Sequence, residues 1–216
     1  MMEVYQFVLD NISKLMQMLF RKAGGQIGDG TNYTEFESTG FAKAVGDACA
    51  YDDIVIRAIN LRAGATPPAY NTFQDSIQGV AFENLASDIV YGSFEIPHTY
   101  KEGSDLEVHL HWSPSSTNTG RCDWVMKYTY ANMNGVFGAE ETLTFQQEGS
   151  GVVNKNQYVS ANVFIDGTAK ALKIGAVFLF ALSRPTGDAF TGDAFLHEVG
   201  VHYQRDTLGS RQMAIK

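Results

Sequence analysis

The sequence predicts an all-β protein, a jelly-roll-like β-sandwich with an N-terminal α-helix and an extended Gly-rich arm. Three observations carry this. From Leu106 the chain alternates: Leu106, Val108, Leu110 and Trp112 share one face, and Glu107, His109 and His111 share the other. Such a period of two marks a strand that buries one side. About eight or nine short segments of this kind are separated by turn signals, the spacing of a sandwich or barrel. The composition agrees, with 21 Gly, 12% aromatic and 19% charged residues, as turn-rich β proteins have.

Taken in order, residues 1–22 read as an amphipathic helix. Tyr5, Val8, Ile12, Leu15 and Leu19 recur at three- and four-residue steps, and Phe7, Met16 and Phe20 broaden that seam. Steps of three and four place side chains on one helix face. Arg21 and Lys22 suit the negative end of the helix dipole, and Gly24-Gly25 stops the helix. So apolar a face needs a partner surface, so these five residues are expected to serve attachment or oligomerisation. Residues 23–50 contain Gly24, Gly25, Gly28, Gly30, Gly40 and Gly46 without a sustained period. They read as an extended arm with at most one short helix near residues 41–48.

The β domain is expected over residues 51–216. A β-branched run from Asp53 to Leu61 ends at Pro67-Pro68. Segments follow at 78–82 and 89–96, the second closed by Pro97, which cannot donate to a ladder. After the alternating stretch at 106–112, residues 122–130 place Trp124, Met126, Tyr128 and Tyr130 on one face. Asn134-Gly135 and Asp166-Gly167 are turn signals. The run from Ile174 to Leu182 is almost wholly apolar, as a strand buried on both faces would be. The last segment, 195–203, puts Phe195, Val199, Val201 and Tyr203 on one side and sets His202 on the face of Leu196, Glu198 and Gly200. Gly-Asp-Ala-Phe occurs twice, at 187–190 and 192–195. It reads as a duplicated turn in preference to a calcium loop built on Asp188 and Asp193.

Charge and cysteines exclude several classes. A net charge of -8 without a Lys/Arg cluster argues against nucleic-acid and anionic-membrane surfaces. Glu3, Asp10, Asn11, Ser13 and Lys14 interrupt the apolar start, so neither a secretory signal nor a membrane span is expected. Cys49 and Cys122 read as two reduced thiols.

For chemistry, Gly103 followed by His109-Leu110-His111 resembles the opening of the cupin metal motif, where histidines two apart on a strand share a face. The Glu required after the second His is absent, Trp112-Ser113-Pro114 standing there instead. The apolar alternation also turns both histidines outward. His109 and His111 are therefore weak metal candidates, and no metal or other cofactor is expected. Glu107, His109 and His111 are read instead as an outward polar face at an intersubunit contact. Glu140-Glu141 and Asp52-Asp53 are adjacent pairs whose side chains diverge on a strand, so no catalytic residue is assigned.

The stretch Pro97-His98 through Lys101-Glu102-Gly103-Ser104-Asp105-Leu106 to His109-Leu110-His111-Trp112, with Val201-His202-Tyr203-Gln204-Arg205-Asp206-Thr207-Leu208-Gly209-Ser210, is similar to a widespread family of tailed-phage virion proteins. The resemblance covers residues 51–216. It implies a jelly roll, usually trimeric, displayed as a head decoration (cement), fibre or spike component, with no catalytic residues. The expectation is a non-enzymatic homotrimer assembled in the host cytoplasm onto major capsid or tail proteins, with no nucleic-acid or membrane partner. Two alternatives differ in class: a tail-tip, fibre or spike head that binds host glycans, and a cupin-like metalloprotein.

Overall fold

The computed structural model describes residues 6, 9–12, 14, 25–84, 88–213 and 215. The protein is a jelly-roll-like β-sandwich, and its strand order shows why. β7 (Ile77–Phe82), β8 (Ile89–Glu95), β9 (Leu106–Pro114), β10 (Arg121–Ala131), β11 (Glu141–Glu148), β12 (Gln157–Ser160), β13 (Val177–Ser183) and β14 (Ala194–Arg205) build the body. One sheet runs β11-β10-β13-β8 and the other β12-β9-β14-β7. Among these eight strands the chain crosses between sheets at nearly every step, and only β10 and β11 are joined as a hairpin. All these pairings are antiparallel. This interleaving is two Greek keys rolled together.

Three earlier strands extend the edges. β5 (Arg62–Ala63) pairs with β8, β6 (Ala69–Gln74) with β7, and β4 (Ala50–Arg57) with β14. β14 is long enough to hold two neighbours on one side: β7 along 194–196 and β4 along 198–205.

The inner faces close on one apolar core. Leu106, Val108, Leu110 and Trp112 are all buried, as the alternation predicts, and so are Trp124, Met126 and Tyr128 of β10. Trp124 meets Phe82 edge-on at 5.0 Å, and Trp112 meets Phe190 at 5.5 Å. Each such side chain contributes on the order of 1.5–3 kcal/mol by leaving water. The Trp112 indole donates to Gln147 Oε1 at 2.8 Å, so its polar edge is satisfied. β13 departs from expectation. It alternates, with Phe178, Phe180 and Leu182 buried and Leu179 44% exposed, as a strand buried on one face does.

The loop carrying the repeated tetrapeptide is closed by a buried ion pair. Arg184 grips Asp188 with two hydrogen bonds of 2.7 Å and donates to the carbonyls of Phe82, Gly192 and Phe190. The second aspartate of the repeat, Asp193, accepts from Asn71. The duplicated residues thus do two different structural jobs.

The arm is corrected by the structure. It is a three-stranded antiparallel meander: β1 (Gly25–Gly28), β2 (Tyr33–Phe36) and β3 (Ala42–Val45), followed by a single 3-10 turn at Gly46–Ala48. Short strands with turns at Asp29–Asn32 and Glu37–Phe41 satisfy backbone groups that an extended arm would leave to water. The meander docks on the end of the chain: the Ala44 amide donates to the Asp206 carbonyl at 2.6 Å, and Arg211 pairs with Glu37 while lying over the Phe41 ring. Of the helix, residues 9–12 are helical, with Leu9 and Ile12 about half exposed. Tyr5, Val8, Leu15 and Leu19 lie outside the described residues. Among the described residues no helix is long and apolar enough to cross a membrane. Cys49 and Cys122 are both free thiols.

Candidate functional site

The outer face of the β12-β9-β14-β4 sheet gathers the polar residues of four strands. The register sets them in rows. Tyr158, His111, Glu198 and Arg57 form one row; Ser160, His109, Gly200 and Val55 the next; Glu107, His202 and Asp53 the third. The strands' alternation puts these side chains opposite the core, since their neighbours Val159, Leu110, Val199 and Val201 are buried inward.

His109 is the centre of the cluster. It is only 1% exposed although it lies on the outer face. Its ring leans across the strand pair over Gly200, where an added β-carbon would lie 2.1 Å from Nε2. The rings of His202, Tyr158 and His111 surround it at 4.3, 4.8 and 5.4 Å. This corrects the expectation of an outward, exposed histidine face: His109 is roofed over by its neighbours, while His111 and Glu107 remain partly exposed. Burial pulls the His109 imidazole below the ordinary histidine value, against the opposing pull of the Asp53 carboxylate. Its Nδ1 is buried without a hydrogen-bond partner.

The carboxylates around it are oriented by the sheet. Asp53 Oδ1 accepts the Val201 amide at 2.9 Å, and Oδ2 stands 3.7 Å from His109 Nε2. Glu107 accepts from Ser160, from Tyr158 Oη at 2.9 Å, and faces His202 Nδ1 at 3.3 Å. Burial raises the Glu107 pKa, but the Ser160 and Tyr158 hydroxyls and His202 outweigh it and hold the carboxyl below its usual range. His111 points elsewhere, its Nε2 3.8 Å from Glu198.

The two histidines paired by sequence keep a ring contact at 5.4 Å, but the nitrogens of His109 group with other residues. One ring nitrogen each of His109 and His202 and a carboxylate oxygen of Asp53 lie within 4.8 Å of one another. His202 was expected on the face of Leu196, Glu198 and Gly200; it does share the outer face with Glu198 and Gly200, and only Leu196 is corrected. A bulge gives β14 one extra residue at His197, so Leu196 pairs with Trp112 in the core and Glu198 with His111 outside. Alternation counted across a bulge inverts the face. Asp53 and Tyr158 were missed because strands β4 and β12 meet β14 and β9 only in space. The one signal available was Gly200, an interior strand glycine, which marks a close approach.

Beside the cluster lies a groove of about 460 Å³. Tyr51 and Phe164, 71% and 58% exposed, stand among its lining residues. Lys101, Asp105, Glu107 and Gln204 contribute polar groups.

Neither a protein-family model nor a curated protein sequence matches the chain. Among solved structures, it is similar to the CBM36-1 domain of a multidomain xylanase from the hindgut metagenome of Trinervitermes trinervoides, with 14% identity, a TM-score of 0.40, and coverage of 69% of this chain and 96% of that one. It is likewise similar to a family 35 carbohydrate binding module from Clostridium thermocellum, with 12% identity, a TM-score of 0.38 and coverage of 69% and 97%. A chain of infectious bursal disease virus, Gx strain, matches with 9% identity and a TM-score of 0.36 over 88% of this chain and 40% of that one. Likenesses this distant do not bear on function.

Proposed function

We propose that the protein is a non-enzymatic bacteriophage virion component, a trimeric capsid decoration (cement) protein. In this reading the jelly roll is the displayed body, and the residues before it attach it to major capsid or tail proteins. The supporting observation is how the core divides. Among the described residues, every member of the buried apolar cluster lies at Ala58 or beyond, with Ile54 and Ile56 packed against it. In this reading the apolar seam expected at the amino terminus is assigned to another surface, and residues 25–49 add a separate meander beside the sandwich. Several copies holding weakly at once give a stable particle coat.

The test is deletion of residues 1–22, followed by particle assembly. The variant should keep the melting temperature of the full chain and be absent from purified particles. Incorporation at the full copy number would overturn the reading. Light scattering at micromolar concentration checks the trimer, and a monomer there removes that part.

A second reading, a tail-tip or fibre head that binds host glycans, is favoured by the groove between Tyr51 and Phe164. Exposed aromatic rings beside polar side chains suit the apolar face and hydroxyls of a sugar. Glycan-array binding lost in Tyr51→Ala and Phe164→Ala would favour it over decoration.

A further inference from the structure

We propose that Asp53, His109 and His202 form a binding site for one divalent first-row transition-metal ion of the Zn²⁺ class. This inference does not depend on the virion reading. It rests on what each donor lacks and what holds it in place.

Asp53 Oδ1 is occupied by the Val201 amide, which leaves Oδ2 turned toward His109. The 3.7 Å between Oδ2 and His109 Nε2 is too long for a hydrogen bond. Two ligands bound at about 2.1 Å around a tetrahedral ion stand roughly 3.4 Å apart, so a small movement seats both on one ion. His202 is held at Nδ1 by Glu107 at 3.3 Å, which leaves Nε2 as its free donor. A carboxylate behind a ligating imidazole is the usual outer support of a metal histidine, because it sets ring orientation and raises basicity.

The ligand atoms of Asp53, His109 and His202 lie within 4.8 Å of one another, as donors to one ion must. The carboxylates of Asp53 and Glu107 stand beside His109 and His202, and a divalent cation offsets their negative charge. Two nitrogens and one carboxylate oxygen suit zinc, cobalt or nickel better than calcium or magnesium, which require mostly oxygen. Three protein ligands leave a further position open. Asp53, 30% exposed, sets that position on the solvent side. Gly200 is part of the device, since only a residue without a β-carbon lets the His109 ring lie where it does.

The experiment uses the full-length protein, treated with chelator and titrated with Zn²⁺ by calorimetry and with Co²⁺ by visible absorption. One ion per chain is expected, with Co²⁺ bands of a four- or five-coordinate nitrogen/oxygen site. Asp53→Asn and His202→Gln should each weaken binding by about ten- to a hundredfold or more, while His111→Gln, outside the set, should leave it unchanged. Circular dichroism of each variant keeps loss of binding distinct from loss of fold. Absence of Zn²⁺ binding up to millimolar concentration overturns the proposal. So does binding that survives Asp53→Asn and His202→Gln in folded protein, or that falls equally in His111→Gln.

Discussion

His109 lies over Gly200 on the neighbouring strand, close enough that a methyl group there would sit 2.1 Å from its Nε2. Gly200→Ala should therefore displace the imidazole and strain the β9–β14 pair. A cost of about 1–3 kcal/mol is expected, as for other overpacked positions. Urea denaturation of Gly200→Ala, His109→Ala and the double variant measures it. The double variant should be more stable than the sum of the single effects allows, because the colliding group is gone.

Arg184 and Asp188 have side chains that are 0% and 1% exposed. Arg184→Met leaves the Asp188 carboxylate buried with the Asp123 amide but no cation, and the carbonyls of Phe82, Phe190 and Gly192 without the guanidinium. A loss of about 3–5 kcal/mol is expected. Replacing both, Arg184→Met with Asp188→Leu, should recover part of it, since no unpaired charge remains. Chemical denaturation of the two variants checks the order.

Stability should fall on acidification through the histidine range. His197 is pulled below its ordinary value by burial and by His111, with its Nε2 hydrogen-bonded to Ser113 Oγ at 2.8 Å. The unfolded chain takes up this proton near pH ~6.5, and the folded chain only at lower pH. Over that window the unfolded state binds more protons, so stability drops as pH falls below ~6.5 and levels off below the folded pKa. His197→Gln should flatten part of that slope in melting temperatures measured between pH 8 and pH 5.

The two thiols should differ in reactivity. Burial pushes the Cys122 pKa far up, and the residue is 0% exposed, whereas Cys49 is partly accessible beside the Ala44 carbonyl. A thiol reagent should modify Cys49 in the native protein and Cys122 only after unfolding, because the thiolate is the reacting form. Mass spectrometry of native and denatured samples reads both.

Much of the fold is legible in single strands. The alternation of Leu106, Val108, Leu110 and Trp112 placed them in the core, and the step from Trp124 to Met126 and Tyr128 did the same. Asn134 takes the positive φ of 60° that its turn signal implies. The meander at 25–45 was not legible, because four-residue strands are too short to show a period among glycines.

What the sequence determined by itself is the side each residue takes within an unbroken strand, since pleating ties parity to face. What only the tertiary structure decided is which outer faces meet. The bulge at His197 turns Leu196 into the core while Glu198, Gly200 and His202 stay outward, and β4 brings Asp53 to His202 from 149 positions away in the chain. Neither event leaves a local trace, because strand pairing joins backbones by hydrogen bonds that any residue but proline can make. The cluster around His109 is therefore a property of register. No one segment contains it.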